Sequence, residues 1–207
     1  MNMKKHFLFL LIFSISGLLF SFGPAATIEK FDYEVIVYNR TIGTFLASKV
    51  ELNERADYSL ETKISTRIFK NIEFDFAMNS SYQNSILVHS DLKNYMNNEL
   101  RKSSTVDFDG SKYLIRTKKN TITHNEVRIE YSSASLYFEE PIGRKFLFSE
   151  NYGINLPIIE IKPHKYLVKL PNGDTNYYEY KNGEVASVEF DKRIINVKML
   201  RVANTDG

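Results

Sequence analysis

The sequence contains no cysteine. Disulfides, thiolate metal sites and thiol nucleophiles are thereby excluded, and so is the lipidated cysteine that anchors bacterial lipoproteins. Stability has to come from a packed core, which 207 residues are enough to build. Apolar residues at helical spacing over several turns are also missing. So are a Gly-rich phosphate loop, a nucleophile elbow and an EF-hand-type calcium loop. Three histidines lie beyond the N-terminal segment, His89, His124 and His164, and none has the short-range pairing typical of zinc ligands. No metal and no cofactor is expected. There is no low-complexity tract, fixed-period repeat or linker, so residues 26–207 are expected to form a single antiparallel β domain.

Only one long apolar run is present. Lys4, Lys5 and His6 precede FLFLLIFSISGLLF at positions 7–20, and the small residues Gly23, Pro24, Ala25 and Ala26 follow. This order of positive, apolar and small residues predicts a secretory signal peptide over residues 1–25, cut after Ala25. The run is shorter than the roughly 20 apolar residues of a spanning helix, so the cleaved protein is not expected to be integral to a membrane. The expected location is periplasmic or extracellular, with outer-membrane association open.

Charge of one sign is missing too. Cleavage removes Lys4 and Lys5 and no acid, so the 27 basic residues become 25, against 25 acidic ones. A neutral, interspersed surface gives no footprint for nucleic acid or an anionic membrane.

What is present is period-two alternation, the pattern of half-buried strands. Ile72, Phe74, Phe76 and Met78 alternate with Asn71, Glu73, Asp75 and Asn79. Tyr58, Leu60, Ile64 and Ile68 share a face with Thr62 and Thr66. Leu46, Val50 and Leu52 alternate with Phe45, Lys49 and Glu51, which predicts that Leu46, Val50 and Leu52 point inward. Asp109-Gly110, Asn172-Gly173 and Asn182-Gly183 supply the positive φ angles of tight hairpins. Residues 165–201 thus read as a four-stranded meander. Residues 31–53 read as a hairpin turning through Asn39 to Gly43. The expected fold is all-β: a strongly curved antiparallel sheet or incomplete β-barrel of about 11–12 strands. One stretch, 131–163, breaks the alternation and holds Pro141, Pro157 and Pro163. It is expected to be irregular, with a short helical turn over Ala134 to Phe138 stopped by Pro141.

Leu136-Tyr137-Phe138-Glu139-Glu140-Pro141, Phe148-Ser149-Glu150 and Gly153 carry a resemblance that continues through Tyr166, Leu170-Pro171-Asn172-Gly173, Asn176 and Tyr180-Lys181-Asn182-Gly183. With these residues the chain resembles a family of secreted Bacteroidetes β-proteins known only as a domain of unknown function. The resemblance covers the C-terminal third and, loosely, the N-terminal hairpin. It implies export and a β-rich fold and brings no activity. In architecture the chain also looks like the periplasmic lipoprotein carriers, whose incomplete barrel shelters an acyl chain; fold alone does not license function.

Candidate sites are weighed against blander roles. His89 and Asp91 share a strand face and form a possible His–carboxylate pair, but Ile86, Val88 and Leu92 claim the opposite, inner face. Glu139, Glu140 and Glu150 flank the irregular stretch. Paired carboxylates run glycoside hydrolysis, whereas the favoured role for Glu140 is to anchor the loop by accepting backbone N–H bonds near Gly143. Tyr177-Tyr178-Glu179-Tyr180 presents aromatics that stack sugars or grip a partner strand when exposed, and that otherwise fit a pleated sheet. The leading reading is a non-enzymatic binding protein. In it the aromatic-rich stretch lies across the concave face, and Tyr137, Phe138, Phe146 and Phe148 line a cavity for a lipid or other apolar small molecule. A cell-envelope interaction module using a sheet edge or the Tyr-rich meander is the alternative. A hydrolase of envelope polymers working through Glu140 and Glu150 is the third.

Overall fold

The computed structural model describes residues 25–66, 72–118, 120–124, 128–192 and 195–203. The expected leader up to Pro24, and the strand positions Ile68 and Asn71, lie outside the described residues.

Fourteen strands and one 3-10 turn make up the regular structure of the described residues. The first eight are β1 (Thr27–Val37), β2 (Arg40–Leu52), β3 (Arg55–Thr66), β4 (Ile72–Gln83), β5 (Ile86–Met96), β6 (Glu99–Phe108), β7 (Tyr113–Thr117) and β8 (Thr121–His124). After the 3-10 turn Ser135–Tyr137 come β9 (Phe146–Ser149), β10 (Ile154–Lys162), β11 (Lys165–Lys169), β12 (Thr175–Lys181), β13 (Glu184–Asp191) and β14 (Asn196–Arg201). All belong to one antiparallel sheet, in the order β8-β7-β6-β5-β4-β3-β2-β1-β14-β13-β12-β11-β10-β9. Two meanders therefore meet at a central seam, where β1 pairs with β14 from Tyr33↔Arg201 to Ile36↔Lys198.

Tight turns make consecutive strands neighbours. The Asp-Gly and Asn-Gly sites do turn the chain, with Gly110, Gly173 and Gly183 at positive φ. Three further two-residue turns have no glycine: Tyr38-Asn39, Asn84-Ser85 and Asn97-Asn98, with both φ values positive in each. Asparagine replaces glycine there because its short polar side chain tolerates the left-handed region. The first hairpin consequently turns at Tyr38-Asn39 rather than through to Gly43. Gly43 lies inside β2, at an irregularity opposite Val35, where a Cβ would stand 2.2 Å from the Lys63 carbonyl oxygen.

The alternation of β4 holds, with Met78, Ser80 and Tyr82 buried and Glu73, Asp75 and Asn79 exposed. That of β2 is the reverse of expectation. Phe45 and Ala47 are buried, while Val50 and Leu52 are 40% and 42% exposed. Both faces of β2 carry apolar residues, so pattern alone cannot choose between them. Pairing of Phe31 with Ala47 and Tyr33 with Phe45 decides it, because the Phe45 ring finds Tyr33 at 5.5 Å and Tyr137 at 4.7 Å.

The stretch 131–163 is less irregular than expected. Its 3-10 turn falls inside the predicted helical turn, but β9 and the whole of β10 lie within the stretch too, which raises the strand count above the expected range. Pro157 is tolerated in β10 because the ladder to β11 begins one residue later, at Ile158↔Val168. The Ile158 N–H instead points to the other side and bonds the Lys145 carbonyl at 2.9 Å.

The sheet is strongly curved and does not close. Its edges, β8 and β9, overlap instead of pairing. Leu147 of β9 enters the main core, while the next residue, Phe148, enters a second cluster with Tyr82, Leu87, Val106, Tyr113, Ile115 and Ile129. The Phe148 and His124 rings are 5.8 Å apart. At Gly153, in the β9–β10 turn, a Cβ would stand 2.9 Å from the Ile115 side chain of β7. The segment 128–145, which joins the two edges, runs through the concave side. Phe148 N–H bonds the Tyr131 carbonyl at 3.0 Å and Ser133 N–H bonds the Phe148 carbonyl at 2.9 Å. Tyr131, Ala134, Leu136 and Tyr137 of this crossing segment are buried in the main core.

Candidate functional site

The crossing segment divides the concave interior into two spaces. The first is a chamber of about 180 Å³ reaching toward the sheet end that carries the β9–β10 and β11–β12 turns. Leu60, Met78 and Leu92 of neighbouring strands form one wall; Leu136 and Tyr137 form the floor; Leu147, Leu156, Val168 and Tyr178 close the other side. These side chains meet because alternate positions of a curved sheet converge on its concave side. Asn94, Asn151 and Asn176 add polar groups, and every residue lining the chamber is uncharged. Asn176 is engaged with Tyr178, whose hydroxyl burial pushes up to about 12. The partly buried amides of Asn94 and Asn151 have no hydrogen-bond partner among the described residues.

On the other side of the crossing segment is a polar cleft of about 490 Å³, bordered by Lys49, Glu51, Arg55, Glu139 and Arg144. Its basic groups are paired within the protein. Lys49 reaches Glu51 at 2.6 Å and Glu29 at 3.3 Å; Arg144 bonds Glu139 at 3.0 Å and lies over the Tyr131 ring at 4.3 Å. Arg55 bonds Asp57 at 2.7 Å. A wider recess, about 960 Å³, is an open groove bordered by Ile36, Tyr177, Glu189 and Lys198, which pair in a row across β1, β14, β13 and β12. Phe190 borders both this groove and the chamber.

A buried polar cluster fixes the crossing segment to the sheet. Glu150 is fully buried at the end of β9. It accepts hydrogen bonds from the Ser132 hydroxyl, from Ser133 N–H at 3.1 Å and from the Ser80 hydroxyl at 3.4 Å. The Tyr82 hydroxyl donates to Ser132 at 2.7 Å. Burial raises the Glu150 carboxyl above the usual carboxylate range, and the Ser132 and Ser133 hydrogen bonds oppose that only in part.

The residues singled out in the sequence are not brought to one place. Tyr137 lines the chamber. Phe138 packs at the margin of the core, its ring 5.4 Å from Phe31 and Tyr58. Phe148 is in the second cluster, and Phe146 is 60% exposed. Glu140 is an anchor, but through side chains: it accepts from the Tyr166 hydroxyl at 2.8 Å and meets His164 Nδ1 at 3.0 Å, and its contacts do not include the expected backbone N–H groups near Gly143. The backbone N–H anchor falls instead to Glu150. The two carboxylates share no partner and no recess, so they do not form the paired-acid cleft of a glycosidase. Exposed His89 pairs across strands with Asp107 at 2.8 Å rather than with Asp91, and Arg116 holds the same carboxylate at 2.6 Å. Tyr178 and Tyr180 are buried, so the Tyr-rich meander turns those aromatics inward. Among the described residues no cluster of three or more His, Asp or Glu is placed to hold a metal ion, and no helix is long and apolar enough to cross a membrane. Of the chamber residues, Leu60 and Met78 stood out in the sequence only as alternating strand positions, and Asn94, Asn151 and Phe190 did not stand out at all. The one available signal was the alternation that puts Asn94 on the face of Leu92.

The family described as "Domain of unknown function (DUF6134)" matches residues 33–202. The chain belongs to the DUF6134 family. The match takes in β2 to β14 and the end of β1 from Tyr33, so the chamber, the crossing segment and the Glu150 cluster are all parts of the DUF6134 domain. No curated protein matches the chain. Among solved structures, the chain is similar to a beta-barrel-like protein of domain of unknown function DUF1849 from Brucella abortus. Identity is 11% and the TM-score 0.49, over 84% of this chain and 94% of that one.

Proposed function

We propose that this DUF6134 protein is a non-enzymatic, exported binding protein. It holds a small apolar molecule in the chamber, at the periplasm or outer membrane, in the manner of incomplete-barrel carriers. The observation that carries this reading is the 180 Å³ space walled by Leu60, Met78, Leu92, Leu136 and Leu156. A dry cavity of roughly 150 Å³ is large enough for benzene. Binding sites of this kind pair apolar walls with a few polar groups that orient the ligand, and here the free amides are at hand.

Methionine methyl NMR tests the reading. Met78 lines the chamber, whereas Met96 is exposed and Met199 is buried on β14. Titration with toluene is expected to shift the Met78 methyl signal saturably and to leave Met96 in place. An unmoved Met78 signal, with no apolar compound extractable from the purified protein, overturns the reading.

The second reading, a docking module for an envelope protein, is supported by the outward Phe146, which pairs with Pro157, and by Ile142 and Ile159, all exposed. A serine at Phe146 that abolished capture of a specific envelope protein would support this alternative.

A further inference from the structure

The chamber has a chemical signature beyond its apolar walls. Its lining includes Asn94, Asn151, Asn176, Ser133 and Ser149, with no Lys, Arg, His, Asp or Glu. Each Asn amide offers both a donor and an acceptor, and those of Asn94 and Asn151 are unpartnered among the described residues. An ionised head drawn into such a site loses hydration with no opposite charge to replace it, whereas a hydroxyl or amide can satisfy both Asn groups. Charged groups stand near the chamber but not in its lining. Glu150 is enclosed by Ser80, Ser132 and Ser133. Lys102, opposite Asn94 across the β5–β6 ladder, holds its ammonium 5.1 Å from the centroid of the chamber-lining Tyr152 ring without itself lining the chamber.

We infer that the chamber selects a neutral amphipath: a short apolar body among Leu60, Met78, Leu92 and Leu136, with an uncharged hydroxyl or amide head held by Asn94 and Asn151. This inference rests on the apolar-chamber reading above and adds the head group and the residues that read it. By comparison with the roughly 150 Å³ that accommodates benzene, the body has about six to eight carbons.

The test uses the purified protein at pH 7 with three probes of one chain length: heptan-1-ol, heptanoate and heptylammonium. Binding is followed at the Met78 methyl signal, with Met199 as the control. Heptan-1-ol is expected to bind at least about tenfold more tightly than either ion, since a site built to hydrogen-bond a neutral group discriminates strongly against mispaired heads. In Asn94→Ala/Asn151→Ala, heptan-1-ol binding should weaken about tenfold while toluene binding stays within about twofold. Both positions are only partly buried, and an unchanged Met199 signal reports an intact core. Equal or tighter binding of heptanoate or heptylammonium at Met78, or an unaltered alcohol affinity in the double variant, overturns the neutral-head inference and leaves the chamber reading standing. No Met78 response to toluene or to any of the three overturns both.

Discussion

The two spaces on either side of the crossing segment differ in more than size. The cleft is the larger, about 490 Å³ against about 180 Å³ for the chamber. Yet the cleft's cations already have acids beside them, Lys49 with Glu29 and Glu51, and Arg144 with Glu139. The smaller chamber combines apolar walls with the partly buried amides of Asn94 and Asn151, which have no protein hydrogen-bond partner among the described residues. Volume ranks these spaces one way and unmet chemical demand ranks them the other. Demand is the better guide, because a ligand gains little from groups that the protein has already satisfied.

Tyr137→Ala, which removes the chamber floor, is expected to cost about 3–5 kcal/mol in urea unfolding; a cost below about 1 kcal/mol would show that the crossing segment is not integral to the core. Gly153→Ala, which puts a Cβ at a φ of +67° against Ile115, is expected to cost about 1–3 kcal/mol, because the overlapped edges leave no room to yield.

Glu150→Gln separates the buried cluster from both spaces by its pH dependence. Burial raises the folded-state carboxyl above its ordinary value of 4.5. The native protein then holds a proton that the unfolded chain has released, so stability falls as pH rises from about 4.5 toward the folded value. The glutamine variant keeps an acceptor for Ser133 and loses this slope. Urea midpoints from pH 4.5 to 8 should therefore converge toward acid and separate in favour of the variant toward neutral; parallel profiles would refute the assignment.

On the cleft side, Arg144→Ala is expected to cost only about 0.5–1 kcal/mol, since its ion pair and ring contact are partly solvated. The smallest effect has the opposite sign. Ser104 is buried with its hydroxyl unpartnered among the described residues, and Ser104→Ala should be neutral or stabilising by up to about 1 kcal/mol.

Much of the sheet was legible in the sequence. Alternation in Phe74, Phe76 and Met78 and the turns at Asn172-Gly173 and Asn182-Gly183 are local signals, and local signals survive into the fold. The face of β2 was misread because Leu46, Val50 and Leu52 are as apolar as the residues that won, and the choice was made across strands by Tyr33 and Tyr137. The turns at Asn84-Ser85 and Asn97-Asn98 carried no glycine to mark them. The aromatic stretch was expected across the concave side, where only its first part, with Leu136 and Tyr137, lies; the rest forms β9 and the start of β10, and the aromatics part company because Leu147 and Phe148 face opposite clusters. The chamber itself was invisible, since Leu60, Asn94, Asn151 and Asn176 come together only through the sheet's curvature.

The β1–β14 seam sets a timetable for assembly. Each meander can zip from its own hairpins, one strand after the next, but the strands at the middle of the sheet come from opposite ends of the described chain. In a chain made from its N-terminus, β1 emerges first and its partner last. That most distant pairing carries the largest closure entropy. The interior, with the chamber at its heart, comes into being only when this last partner arrives, and a molecule bound there would act as a clasp on the finished seam.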